Sequence, residues 1–123
     1  MAHRVTYKAN WVHVEYFDYV DSLDVIRQVN DNEFWAQLEQ VKKVIFDYSG
    51  ASQLAISLDD LKHFATIARV QAHLIGPVDV AAVIAGPERL ENALAYKKYS
   101  ENPNWRVYIT TSTEEAETVL ASL

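Results

Sequence analysis

Asp47 closes the apolar run Val44-Ile45-Phe46, and the C-terminal ends of buried strands are where α/β proteins place functional groups. Asp18 and Asp21 follow an earlier strand end and Thr110 ends a later one, a set that hints at the acidic pocket of a phospho-acceptor domain. That chemistry needs its acidic pair a full βαβ unit before the acceptor Asp, and a Lys ending the last strand. Only one helical segment separates Asp18 from Asp47, and Thr110-Thr111-Ser112 supplies no Lys. The plainer role for Asp47 is to hold the following loop by accepting from its backbone N–H groups. Ser49, Ser52 and Ser57 follow it, as candidates for a nucleophile or for regulatory phosphorylation. No Gly-x-Ser-x-Gly elbow surrounds any of them, so an activated serine is not expected. Asp47, Ser49, Ser52 and Ser57 are therefore read as a phosphorylation or switch loop, and no catalytic residue is assigned.

The histidines do not converge along the chain. His63 and His73 are separated by roughly 80° on an ideal helix, and His63 follows Asp59 by one turn, a common solvent-side pair. His13 shares a strand face with Glu15, but a metal site would need a third ligand from elsewhere. None is suggested by the spacing, and no metal or other cofactor is expected. Tyr96, Lys97, Lys98 and Tyr99, with Trp105 and Arg106, form a basic-aromatic cluster. Such groups can stack on and pair with a nucleotide or a lipid headgroup, or simply pack with hydroxyls and ammonium groups at the surface.

Composition removes several classes of chemistry. The 123 residues include no Cys, three Gly and three Pro, which excludes disulfide scaffolds, thiol chemistry and cysteine zinc sites. Gly50, Gly76 and Gly86 stand too far apart for a phosphate-cradling loop. A formal charge of −6, from 11 basic and 17 acidic side chains, argues against a nucleic-acid partner. Half of the residues are hydrophobic, enough for one folded domain over residues 1–123. The N-terminus lacks the apolar run of a signal peptide, and the stretch Val80 to Ala85 is far short of the roughly 20 residues that span a bilayer. A cytoplasmic, non-membrane-spanning protein is expected.

The elements that must position these groups are legible from pattern. Arg4 to Tyr7 and Trp11 to Phe17 alternate as two strands of a hairpin, with Val12, Val14 and Tyr16 on one face and Trp11, His13, Glu15 and Phe17 on the other. Asp21-Ser22 starts a helix carrying Leu23, Ile26 and Val29, and Phe34, Trp35, Leu38 and Val41 mark a second. Val44 to Phe46 is a buried strand, and Tyr48 to Ile56 reads as a loop. Ser57 caps a long helix with Asp59 and Asp60 in its first turn, where the helix dipole favours negative charge. Leu61, Phe64, Ala65, Ala68, Ala72 and Ile75 form its apolar stripe, and Ile67, Val70 and Leu74 form a second stripe beside it. Gly76-Pro77 ends this helix, Val78 to Ile84 is a buried strand, and Gly86-Pro87 opens another helix with Leu90, Ala93, Leu94, Tyr96 and Tyr99. Arg106 to Thr110 alternates as a strand near the edge. Ser112-Thr113-Glu114-Glu115 resembles a capping box before a last helix with Ala116, Val119, Leu120 and Leu123. Strands alternating with helices imply an α/β fold, a mixed, mainly parallel sheet with an N-terminal antiparallel hairpin.

Three segments give this order a family likeness: Val44-Ile45-Phe46-Asp47-Tyr48-Ser49-Gly50, Val78-Asp79-Val80-Ala81-Ala82-Val83-Ile84, and the ending Val107-Tyr108-Ile109-Thr110-Thr111-Ser112-Thr113-Glu114-Glu115-Ala116. Together they resemble the SpoIIAA-like branch of the STAS (sulfate transporter and anti-sigma factor antagonist) superfamily. The resemblance implies stacked β-α turns and a regulatory, interaction-type role without enzymatic activity. Anti-anti-sigma members carry a phosphorylatable Asp-Ser-Ser-Gly after the strand. Here that motif is missing, and Ser57 stands at a similar place without the preceding Asp or following Gly. The wider fold is similar to the lipid-binding domain of CRAL-TRIO proteins, which implies an apolar pocket as the alternative.

Two surfaces follow as expectations. Ile67, Val70 and Leu74 form an interaction face for a protein partner or a second copy of the chain. Phe34, Trp35, Phe64, Tyr96 and Tyr99 would contact an apolar small molecule.

Overall fold

The computed structural model describes residues 2–123, and of Glu88 its backbone alone. The hairpin forms from β1 (His3–Tyr7) and β2 (Val12–Asp21), followed by α1 (Ser22–Val29) and α2 (Asn32–Val41). Then come β3 (Lys43–Ala55), α3 (Leu58–Ile75), β4 (Val78–Val83), a 3₁₀ turn (Pro87–Arg89) leading into α4 (Leu90–Ser100), β5 (Trp105–Thr110) and α5 (Thr113–Ala121). The five strands make one sheet in the order β1-β2-β3-β4-β5. The β1–β2 pair is antiparallel and the other three pairs are parallel. This is the α/β fold expected from the pattern of elements, a mixed, mainly parallel sheet with an N-terminal antiparallel hairpin.

Sequential strand order has a consequence for the layers. Right-handed crossovers that always step the same way across a sheet leave their helices on one face. The main core lies on that face. Val12, Val14 and Tyr16 of β2, Val44 and Phe46 of β3, Val80 of β4, and Trp105 and Val107 of β5 meet Val25, Phe34, Leu38, Phe64, Ala68 and Ala72 from the helices. Only α5, which follows the last strand, is free to cover the other face. There Ile45, Ala81, Val83, Ala116 and Leu120 form a second, smaller cluster, with Trp11 packed against it.

Caps set the helix boundaries. Asp21 and Asp24 form a reciprocal capping box on α1, and Ser57 and Asp60 do the same on α3, each satisfying N–H groups that a helix start leaves free. Gly76 ends α3 at φ 91°, a conformation a side chain would strain. At α5 the expected capping box is half present. Ser112 accepts from the Glu115 N–H, but the Glu115 carboxylate turns back to Thr111, accepting from its hydroxyl at 3.0 Å.

The adjacent lysines at the start of β3 serve opposite faces. Lys42 Nζ donates to the Ile75 carbonyl at the end of α3, and Lys43 Nζ donates to the Leu120 carbonyl of α5 at 2.7 Å. Cations at helix C-termini complement the dipole.

One expectation is corrected. The segment Tyr48 to Ile56 is not a loop: β3 continues to Ala55, paired with the far end of β2 from Phe17↔Gly50 to Asp21↔Ala55. Two register shifts, between Glu15 and Phe17 and between Asp18 and Tyr19, break the alternation that would have marked it as strand. Asp18 takes the left-handed conformation at φ 60°. The two strands approach closely at Gly50, where a Cβ would stand 3.2 Å from the Tyr16 carbonyl oxygen.

Candidate functional site

Asp47 lies on the α5 side of the sheet, opposite Glu15 in the parallel register and 6% exposed. Its Oδ1 accepts from the Ser49 N–H at 2.9 Å and from the Ser49 hydroxyl at 2.6 Å, the loop-holding role read from the sequence. Its Oδ2 accepts from the Thr113 hydroxyl at 3.1 Å, joining the first turn of α5 to the end of β3. His13 Nε2 stands 3.4 Å from the same oxygen. Burial works against the charge, but the Ser49, Thr113 and His13 hydrogen bonds outweigh it and hold the carboxyl below its ordinary range. Glu15 completes the group, its carboxylate paired with the exposed Arg4 guanidinium through two contacts of 3.3 Å.

The rest of the switch loop is dispersed. Ser52 is exposed on the β3 extension, and Ser57 is occupied as the α3 cap. Asp21 caps α1 and Asp18 is exposed, so neither joins Asp47 in a phospho-acceptor pocket. His63 and His73 are exposed on α3.

On the opposite face, between the sheet and helices α1, α3 and α4, lies a partly open cavity of about 80 Å³. One water needs roughly 10–15 Å³ on this measure, so the space holds more than a single solvent molecule. Its wall is overwhelmingly apolar. Phe64 and Tyr96 line it, together with Tyr16, Tyr48, Phe46 and Arg89. Tyr16 and Tyr48 are stacked with centroids 4.8 Å apart. Burial pushes the phenols up: Tyr16 and Tyr48 far above their ordinary value and Tyr96 to about 12. Arg89 is anchored at its rim by donating to the Tyr48 and Ala51 carbonyls. Tyr16 donates to Gln28 Oε1 at 3.1 Å, while the buried Gln28 Nε2 has no partner among the described residues.

The other proposed ligand contacts lie outside this cavity. Phe34 and Trp35 are core residues at 0% and 7% exposure, with the Trp35 indole N–H donating to the Val29 carbonyl at 2.7 Å. Tyr99 is half-buried with Lys62 Nζ 5.2 Å from its ring centroid. The basic-aromatic cluster likewise comes apart. Trp105 is in the core, Arg106 pairs with Asp79 at 2.8 and 3.0 Å, and Lys97 donates to the Val107 carbonyl and to Glu101.

The second stripe of α3 divides. Ile67 is half-buried and packs on the main core, whereas Val70 and Leu74, one turn apart, are 57% and 71% exposed. Leu90 and Leu94 of α4 are also exposed. Among the described residues, no helix is long and apolar enough to cross a membrane.

Sequence reasoning missed the Asp47–His13–Thr113 contacts and the helix-capping use of Lys42 and Lys43. The first would have required the register of β2 on β3, which side-chain types do not encode locally. The second had a signal, two lysines bordering a strand that must pack helices on both faces.

No family model matches the sequence, and no curated protein matches it. A solved structure described as the overall structure of SLC26A9 is similar over 92% of this chain, with a TM-score of 0.54 and 16% identity. The matched region is 20% of the SLC26A9 chain, so this chain spans about a fifth of that protein, and the similarity is one of fold.

Proposed function

We propose that residues 1–123 form a single non-enzymatic, cytoplasmic regulatory module of the STAS type, SpoIIAA-like in kind, acting through protein contacts. A STAS-like fold supports an interaction or regulatory role in general terms. The observation that carries the reading is the pair Val70 and Leu74, exposed on a helix whose opposite side is embedded in the core. Ile67 forms the inner margin of this face. Exposed aliphatic groups standing together are costly in water and suit a partner's apolar surface. The expected experiment is a pull-down from native extract with the wild type and with Leu74→Asp, beside light scattering of the purified protein. Capture of a discrete partner, or concentration-dependent dimerisation, that Leu74→Asp abolishes without altering the melting temperature supports the reading. A monomer at high concentration whose captured proteins are the same in both variants overturns it.

The switch loop enters this proposal through Ser52, Ser57 and Ser49, all exposed. A phosphate on Ser57 would meet the favourable N-terminal end of α3 but also Asp59 and Asp60.

The cavity favours a second reading, binding of a small apolar molecule against Phe64 and Tyr96. Native mass spectrometry of freshly purified protein tests it. A retained small molecule displaced by Ala93→Trp supports it, and bare protein with no uptake of added apolar probes removes it.

A further inference from the structure

The second sheet face, beside the first turn of α5, brings together three ligating groups from two strands. His13 and Glu15 are two residues apart on β2 and point to the same side of the sheet. Asp47 of β3 is the direct neighbour of Glu15 in the parallel register. One imidazole nitrogen and two carboxylate oxygens result, all within 4.8 Å of one another. His13 and Asp47 are 9% and 6% exposed, while Glu15 reaches the group from its half-buried position.

The spacing of the two buried members is informative. A charge-assisted N–H···O⁻ bond settles near 2.7–2.9 Å, and the 3.4 Å between His13 Nε2 and Asp47 Oδ2 is long for one. Two ligands held about 2.0–2.2 Å from a tetrahedral ion stand roughly 3.4 Å apart. His13 and Asp47 thus already have the separation of two corners of a coordination tetrahedron.

The surroundings orient Asp47 as a ligand. Its Oδ1 is fixed by both the Ser49 N–H and the Ser49 hydroxyl, which directs Oδ2 toward His13. The Thr113 hydroxyl also reaches Oδ2. Hydrogen bonds to a ligating carboxylate set its direction and are part of a metal site's construction. Among the described residues Glu15 is tied to the exposed Arg4 alone, a solvent-facing ion pair that is worth little and yields readily. Its carboxylate can close the remaining distance by a change of rotamer.

We propose that His13, Glu15 and Asp47 form a divalent-cation site for a first-row transition ion typified by Zn²⁺, with Ser49 and Thr113 as positioning residues. One imidazole and two carboxylates are a borderline donor set that suits zinc, cobalt or manganese better than a site of oxygen ligands alone would. Three protein ligands leave a coordination position for water or for an acidic group of a partner. The ion would pin β2 to β3 beside the first turn of α5. This site stands on a different surface from the Val70–Leu74 face and does not depend on that reading.

The test is titration of tag-free protein with Zn²⁺ by calorimetry, paralleled by Co²⁺ binding followed in the visible spectrum. One equivalent should bind, with the intense absorption of low-symmetry cobalt, and the melting temperature should rise with Zn²⁺ concentration. Binding should weaken as the pH falls, because the ligands must be deprotonated. His13→Gln should abolish the cobalt spectrum, and Ser49→Ala should weaken binding ~10–100-fold while the fold persists. Should His13→Gln fail to fold, Glu15→Gln, at a half-buried position, should still weaken binding more than Ser49→Ala does. A His63→Ala/His73→Ala variant should bind as the wild type does. Folded wild type that takes up no Zn²⁺ or Co²⁺ at submillimolar concentration overturns the proposal. So does binding that is unchanged by Glu15→Gln, or that vanishes with His63 and His73.

Discussion

The two faces of the sheet are built from the same strands and have little else in common. One is covered by α1 to α4 and holds a continuous core in which Phe34, Leu38, Val44, Val80 and Trp105 are almost completely buried. The other has only α5, seated over β3, β4 and β5 on a small cluster around Ile45 and Leu120. Beyond that helix the second face carries His13, Glu15 and Asp47, with Arg4 at its margin. The difference follows from topology: crossovers that step one way consume every connecting helix on one side. Ionisable groups persist on the other side because Ser49 and Thr113 hydrogen-bond the buried Asp47 carboxylate and Arg4 pairs with Glu15.

Leu38 and Leu120 give the sharpest contrast, since both are leucines at 0% exposure, one on each face. Leu38→Ala should cost about 4 kcal/mol, because the surrounding aromatic core cannot collapse into the cavity. Leu120→Ala should cost less, about 2–3 kcal/mol, because a single helix can shift to fill the space. Urea denaturation of both variants measures the gap, and equal losses would break the comparison.

Thr113→Val should follow at about 1 kcal/mol, the typical value of one hydrogen bond. Hydrogen exchange should locate the change in the first turn of α5, and a change spread through the main core would contradict the division of faces.

A smaller effect is expected at the outer edge of β5. There the Glu101 carboxylate accepts from the Val107 N–H at 3.0 Å, and Lys97 donates to the Val107 carbonyl at 2.6 Å, which blocks an edge that could otherwise pair with another chain. Burial opposes the Glu101 charge, but the hydrogen bonds from the Val107 N–H and Lys97 outweigh it, so its folded-state pKa lies below the ordinary value. A group depressed in this way contributes stability above its unfolded pKa and loses it as the pH falls through the folded value. Protection of the Val107 amide against exchange should therefore fall in the wild type as acid protonates Glu101, and Glu101→Gln should remove that pH dependence. The smallest effect on stability is expected for Leu74→Asp, within about 0.5 kcal/mol, because its side chain leaves no cavity. A large loss would place Leu74 in the core and remove the proposed contact face.

Much of this was legible in advance for identifiable reasons. Ser57 with Asp60 announces a helix start because the cap is a local exchange of hydrogen bonds. The stripe Leu61, Phe64, Ala65, Ala68 and Ala72 announces its buried side because helical period and burial coincide. The extension of β3 through Ala55 was hidden, since register shifts disturb the period of two on which strand recognition rests. Of the aromatic residues named as ligand contacts, Phe64 and Tyr96 line the cavity, and Phe34, Trp35 and Tyr99 do not. Aromatic type alone does not tell a side chain that lines a cavity from one that fills the core.

The chain by itself determined its helix caps, the succession of its strands and helices, and the exclusion of thiol and phosphate-loop chemistry, because these follow from composition or from residues close in sequence. Tertiary structure alone decided which face each helix would cover and that His13 and Glu15 would meet Asp47. That meeting depends on the β2–β3 register, a property of pairing across 34 residues rather than of any residue in the pair.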